Sequence, residues 1–234
     1  STLQQGSNMH FYYNPVPEKV RRMCWNQGDW RFYHYYKKWQ KKTAEMAREI
    51  CQQEKIDILH QLNMIGFREP GYLWKVSRET GIPFVWGPIG GLKQFPMAYV
   101  GGSLKMRVFQ LLKNFLNVWQ LKYDRRVDAA MQQASLLVSS IPDSYRSIKR
   151  YKGKESVIIP ETGTFVREYV PDDVNRFQKP YLTILWVGKF DFRKRLDLAI
   201  AIVALATTAN ARVLLKVLGT GDAKGGLVSF HKRQ

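Results

Sequence analysis

The sequence predicts an α/β protein in which short parallel strands alternate with helices. Its apolar, strand-like runs are short, and segments of helical length separate most of them, which is the pattern of a parallel sheet covered by helices on both faces. The chain has 234 residues, of which 45% are hydrophobic, so it can bury a substantial core. We therefore expect a doubly wound parallel sheet and the beginning of a second one.

The first elements follow from the spacing of apolar residues. From Tyr36 to Glu54 these residues recur at three- and four-residue steps with lysines between them, which predicts an amphipathic helix with a basic outer face. A strand is predicted over Ile56–His60, a helix over Tyr72–Thr80 and a second strand over Ile82–Trp86. That strand runs into a turn formed by residues 87–91.

The middle of the chain continues the alternation. Apolar positions from Leu104 to Trp119 predict a long helix, and Ser135–Ser139 predicts a strand. A helix over Ser144–Tyr151 and a strand over Ser156–Ile159 follow. The next segment, residues 164–180, is polar and carries two prolines, so we interpret it as the connection between domains.

The last part of the chain predicts one further strand–helix–strand unit, with strands at Tyr181–Val187 and Arg212–Leu218 and a helix at Lys194–Thr208. Its 54 residues are close to the lower limit for an independent core, and it resembles the opening of a second doubly wound domain. We expect the following division: a first domain over residues 1–170, a linker over 171–180, and the start of a second domain over 181–234.

The charge and the cysteine content of the chain indicate what kinds of partner, compartment and cofactor to expect. The chain carries 37 Lys and Arg against 19 Asp and Glu, a net charge of +18 that favours anionic partners such as phosphates, acidic lipid headgroups or nucleic acid. Cys24 and Cys51 form no disulfide framework or metal-binding spacing, which predicts reduced thiols in a cytoplasmic protein. The four histidines are scattered and no DxD pair occurs, so no metal or cofactor is expected. No apolar run approaches the ~18 residues of a membrane span.

The turn that begins at Gly188 has the composition of a phosphate site. A strand runs into Gly188 and Lys189, Lys194 opens the next helix, and the following strand ends at Gly219 and Gly221. Free backbone N–H groups, a helix dipole and two ammonium groups can all face an anion there. The alternative is a solvated basic turn.

In their order along the chain, these residues resemble the retaining glycosyltransferases of the GT-B fold, family 4. In that family the second domain opens with a strand followed by a glycine, a basic residue and, five positions later, a lysine, which Gly188, Lys189 and Lys194 match. The glycine-rich turn at Gly219 and Gly221 would lie against the nucleotide. The resemblance implies two Rossmann-like domains that face each other across a cleft.

Two earlier segments, residues 57–63 and 83–91, look like a branch of the same family in which the second strand ends in a GPxGG turn. His60 ends a strand pattern at the expected carboxyl edge of the sheet, where ligands of α/β proteins bind. It is the candidate catalytic residue, although a structural role is the commoner one. The candidate residues on the acceptor and sugar side are Asn63, Gly87, Gly90, Gly91 and Glu161.

The resemblance implies an enzyme of polysaccharide biosynthesis. It would transfer a hexose from a nucleotide diphosphate sugar to a glycan or a lipid-linked acceptor, with retention of configuration and without a metal, since lysines can neutralise the leaving diphosphate. We expect the chain to lack the first strand of the first domain and the family's glutamate pair in the second. As a fragment it would be weakly active or inactive.

Three other interpretations stay open. The helix around Leu104–Lys122, with basic residues beside its apolar stripe, fits a peripheral association with an anionic membrane, although packing on the sheet is the commoner use of such a stripe. Trp30–Trp39 interleaves aromatic and basic residues, which suits a nucleic-acid-binding module, although no nucleic-acid partner is expected. A GT-B nucleotide-sugar enzyme of another kind, such as an epimerase, is the third.

Overall fold

The computed structural model describes residues 9–24, 31–62, 64–100, 104–163, 178, 180–190 and 194–219. Two compact units make up the chain, residues 1–164 and 165–234. Each unit is an α/β structure built on a parallel sheet, as the sequence predicts.

The first unit contains a four-stranded parallel sheet in the order β1-β2-β3-β4. Its elements are, in chain order, α1 (Glu18–Cys24), α2 (Arg31–Gln53), β1 (Leu59–Gln61), α3 (Leu73–Thr80), β2 (Phe84–Ile89), a 3-10 turn (Met97–Tyr99), α4 (Leu104–Tyr123), α5 (Arg125–Gln133), β3 (Leu136–Ser139), α6 (Pro142–Lys152) and β4 (Val157–Ile158).

One face of this sheet forms the core. Gln61, Trp86 and Leu137 occupy neighbouring register positions on β1, β2 and β3, and all three are buried. Helix α3 packs against β1 and β2, and α5 packs against α3 and β2. Because successive strand residues point to opposite faces, His60 and Leu136 lie on the other face, and both are exposed.

The boundaries of the first two strands differ from the prediction. β1 begins at Leu59 rather than Ile56, because its ladder with β2 starts only where the Leu59 N–H donates to the Pro83 carbonyl, 2.9 Å away. β2 begins at Phe84 and continues through Gly87 to Ile89, which still pairs with Ser139 of β3 after a shift in register. Gly87 therefore belongs to the strand, and the turn begins after Ile89.

The long predicted helix is α4, and a further helix that was not predicted, α5, follows it directly. α4 ends at Tyr123 and α5 begins at Arg125, because the Asp124 side chain between them accepts hydrogen bonds from the backbone N–H groups of Arg126 (2.8 Å) and Val127 (3.1 Å). An aspartate in this position caps a new helix. Helix α1 was not predicted from the sequence either.

The second unit contains β5 (Leu182–Val187), α7 (Leu196–Thr208) and β6 (Val213–Leu218). The two strands are parallel and pair residue for residue over their whole length. Helix α7 starts two residues later than predicted, because Arg195 adopts a left-handed conformation with a φ of 50° and stands outside the helix. The predicted linker falls mostly on residues outside those described.

Candidate functional site

The carboxyl ends of β5 and β6 bring two of the predicted glycines into direct contact. The Gly188 N–H donates to the Leu218 carbonyl over 3.0 Å, which extends the strand pairing by one residue. A Cβ atom on Gly219 would lie 1.8 Å from the Gly188 carbonyl oxygen. Only glycine can occupy this position without moving the backbone, so the two chain segments leave the sheet as a close pair.

The two predicted lysines follow this strand end. Both are exposed, and neither ammonium group has an ion-pair partner among the described residues. The indole N–H of Trp186 donates to the Lys194 carbonyl over 3.4 Å, which holds the start of the α7 segment against β5. Trp186 also stacks on Phe190, with ring centroids 6.0 Å apart. Lys189 directly precedes Phe190, and the Lys194 carbonyl is held by Trp186, so both exposed cations lie next to this aromatic pair.

The N-terminus of α7 carries a carboxylate of its own. Asp197 forms an ion pair with Arg195 at 2.9 Å, and its carboxylate also accepts backbone hydrogen bonds from its own N–H and that of Leu198, which together lower the pKa of Asp197. The helix end that we predicted as a phosphate contact is therefore partly occupied by the protein. Any anion at this turn would depend on the lysines, because the Gly188 N–H already donates to the Leu218 carbonyl. Gly221 lies outside the described residues.

His60 makes a structural contact. It is the middle residue of β1 rather than its last, and its Nε2 lies 2.9 Å from the carbonyl oxygen of Gly87. A ring N–H in the corresponding tautomer donates to that oxygen and ties β1 to β2. The structure thus brings His60 and Gly87 together, and one imidazole nitrogen is engaged in a hydrogen bond to the backbone.

The glycines of the first unit are needed for packing within the protein. A Cβ on Gly87, whose φ is +144°, would lie 2.3 Å from the Val138 carbonyl oxygen. A Cβ on Gly90 would lie 2.6 Å from a methyl group of Ile65, and the Gly90 N–H donates to the Ile65 carbonyl. The close approach that we predicted for a ligand is thus made by the chain itself at both positions. Gly91 has only the Cα of Gly66 nearby, at 3.7 Å.

The other two candidates of this unit do not join a cluster. Glu161 is exposed after β4 and forms no ion pair or hydrogen bond with the residues that the structure describes. Asn63 lies outside them. In the described ranges, no group of three His, Cys, Asp or Glu side chains is placed to hold a metal ion.

A buried ion pair, which sequence reasoning missed, lies between the loop after β1 and α5. The Glu69 carboxylate is 5% exposed and accepts a 2.7 Å hydrogen bond from Arg126, while the Lys37 ammonium stands 3.6 Å away. The Arg126 guanidinium also donates to the Arg68 carbonyl (2.9 Å) and the Tyr72 hydroxyl (3.2 Å). Burial raises the pKa of Glu69, and the two cations oppose the rise. The partners are too far apart in sequence for any local signal to pair them.

This ion pair lines a cavity of about 450 Å³ at the side of α4. Lys37, Glu69 and Arg126 form its polar wall, and Phe109 and Leu116 of α4 are among the residues of its apolar wall. A second cavity, of about 350 Å³, lies between α4 and α6 and is lined by Lys93, Asp143, Arg146 and Arg150. Asn117 contributes to both cavities, and its buried Oδ1 has no hydrogen-bond partner in the described part of the chain.

Three aromatic residues of α2, Phe32, Tyr36 and Trp39, make contacts within the first unit. The Trp39 indole N–H donates to the Asn14 carbonyl over 3.0 Å, and the Tyr36 ring stacks on Phe32 with centroids 5.6 Å apart. Burial raises the pKa of Tyr36 to about 12. Rings held in this way do not form an open platform for bases, whereas Tyr33 is 42% exposed, so nucleic-acid binding at this segment stays a hypothesis.

Comparison with known proteins does not identify the chain: no protein-family model matches the sequence, and no curated protein matches it.

Proposed function

We propose that the chain belongs to a glycosyltransferase that transfers a hexose from a nucleotide diphosphate sugar to a glycan or a lipid-linked acceptor. The observation that carries the proposal is the turn at the carboxyl ends of β5 and β6. There, the ends of the two strands lie so close together that only glycine fits at Gly219. Two exposed lysines lie beside these strand ends, and neither has an ion-pair partner among the described residues. This is the edge of a parallel sheet at which α/β proteins bind ligands.

The chemistry of sugar transfer fits these groups. When the sugar leaves its donor, negative charge develops on the diphosphate, and fixed cations stabilise that charge without having to reorganise. Lys194 would face the diphosphate and Lys189 would support it, so that no metal is required for this step. Retention of configuration, and a hexose as the transferred group, rest on the resemblance to family 4 glycosyltransferases.

Thermal shift with nucleoside diphosphates and their sugars tests the proposal. The full chain is melted with UDP, GDP, ADP and dTDP and with their hexose conjugates, and a ligand at one hundred times its Kd should stabilise the fold by about 2.7 kcal/mol. EDTA should leave the shift unchanged. We expect at least one of these compounds to raise the melting temperature.

Two variants localise the binding. Lys194→Ala should abolish the shift. Arg212→Ala removes the same charge just before β6, at the opposite end of the β5–β6 sheet. This variant should show the same thermal shift as the wild type. Equal shifts in the two variants would remove the turn from the site. The absence of any shift in a folded wild-type sample would count against the proposal itself.

A further inference from the structure

Helix α4 is oriented with its polar side toward the protein. Its buried residues are Gln110, Asn117 and Leu121. Asn114 fixes this orientation, because its Oδ1 accepts from the Phe95 N–H (3.2 Å) and from Gln110 (2.9 Å), and its Nδ2 donates to the Phe95 carbonyl (3.0 Å). A surface helix of a globular protein ordinarily buries its apolar face instead.

The outward side of α4 is apolar along its whole length. Its exposed apolar residues are Leu104, Met106, Val108, Phe109, Leu111, Leu112, Phe115, Leu116, Trp119 and Tyr123. At 3.6 residues per turn, all of them except Met106 fall within an arc of about 160°. Phe115 is 64% exposed and Trp119 is 51% exposed. A continuous apolar surface of this extent marks a site of interaction with a membrane or another protein.

The charges on α4 indicate which partner covers it. The helix has four basic residues and no acidic one. Arg107 and Lys113 flank the apolar arc on its two sides, while Lys105 and Lys122 lie in its first and last turns, where long side chains can reach past the apolar surface. None of these four cations forms an ion pair with a residue in the described ranges. A second copy of the chain would bring a further +18 against them, which disfavours self-association.

We propose that α4 docks the first unit on the surface of an anionic lipid bilayer. The helix lies in the plane of the interface, with Phe109, Phe115 and Trp119 inserted at the boundary between headgroups and acyl chains. Arg107 and Lys113 contact the phosphates on either side. No helix within the described residues is long and apolar enough to cross the membrane. The proposal stands independently of the sugar transfer proposed above.

Vesicle co-sedimentation of the full chain tests the proposal. We expect binding to vesicles of equal parts phosphatidylcholine and phosphatidylglycerol, weakening as salt is raised, and little binding to phosphatidylcholine alone. Phe115→Gln combined with Trp119→Gln should reduce the affinity at least about tenfold, because each removes a large inserted side chain. The matched control is Phe11→Gln, at a position 58% exposed outside α4, which should bind as the wild type does.

The charge contribution is tested separately. Arg107→Gln with Lys113→Gln should weaken binding about thirtyfold, because basic residues next to an anionic surface each contribute about fivefold to affinity. Lys38→Gln with Lys42→Gln removes the same charge from exposed positions of α2 and should have a smaller effect. Circular dichroism confirms that each variant is folded.

Three results would overturn the proposal. One is equal binding to both vesicle types. Another is an equal loss of vesicle affinity in the double charge variant of α4 and in that of α2. The third is a dimer of the wild type in analytical ultracentrifugation that Phe115→Gln with Trp119→Gln dissociates, which would assign α4 to a protein interface.

Discussion

Replacing Arg126 by methionine would leave the Glu69 carboxylate buried without its main partner. Breaking a buried ion pair from one side destabilises proteins by about 3–5 kcal/mol. We expect the low end, about 3 kcal/mol, because Lys37 stays 3.6 Å from the carboxylate and can approach it. Methionine fills most of the volume of the arginine stem, so little of this loss would come from packing.

Most of the stability lost in Arg126→Met should be recovered when the Glu69 charge is also removed. Glu69→Gln alone should change the free energy of unfolding by about 1 kcal/mol or less, because an amide can still accept the Arg126 hydrogen bond. In the double variant no charge is buried unpaired, so Arg126→Met should then cost about 1 kcal/mol. The coupling between the two sites is therefore about 2 kcal/mol, measured by urea denaturation in a double-mutant cycle.

Dependence on pH distinguishes this explanation from a packing defect. The pKa of Glu69 is raised by burial in the folded protein, so the stability linked to this group is fully present below its unfolded pKa and is lost as pH rises through the folded value. Removing Arg126 raises the folded pKa further. The loss in Arg126→Met should therefore shrink as pH falls from 8 toward 5. A loss that is independent of pH, or coupling below about 0.5 kcal/mol, would refute the reasoning.

Two further stability predictions concern the backbone of the first unit. Asp124→Ala should lower the free energy of unfolding by about 1 kcal/mol, because it removes the cap of α5. Asp124→Asn should keep most of the capping stability, since an asparagine side chain accepts from the same N–H groups. Equal losses for the two variants in urea denaturation would contradict this. Gly87→Ala should destabilise the protein by at least about 2 kcal/mol, because the φ of +144° and the Val138 carbonyl oxygen leave no place for a Cβ. The control is Gly163→Ala, where the space is open. It should be nearly neutral in thermal unfolding.

The alternation of strands and helices was predictable because most of the elements have a local signal in the sequence. Short apolar runs mark β2, β3, β5 and β6, and the spacing of apolar residues marks α2 and α4. Helix α5 was not predicted, although an aspartate before a new amphipathic run, here Asp124, is a helix start signal.

The arrangement of side chains was not predictable from the same signals. Periodicity shows that α4 has two faces, but it does not say which face is buried. That depends on Asn114 meeting the backbone of Phe95, a contact across 19 residues. The pairing of Glu69 with Arg126 spans 57 residues and depends on where α5 lies after the sheet has formed. Contacts of this kind are properties of the assembled fold.

The net charge of +18 predicts anionic partners without locating them, and the structure divides the cations into groups. Arg48 and Arg126 are neutralised by neighbouring carboxylates. The lysines of the β5–β6 turn and the four basic residues of α4 have no such partners among the described residues, and they lie in different units.

These two groups separate the two proposals experimentally. Binding to a lipid surface sums many weak charge contacts and falls steeply with salt, whereas a diphosphate held by two lysines depends on salt less. Lys194→Ala should therefore leave vesicle binding intact, and Phe115→Gln with Trp119→Gln should leave the nucleotide-dependent thermal shift intact. Because each variant alters only one readout, failure of either proposal would leave the other standing on its own observations.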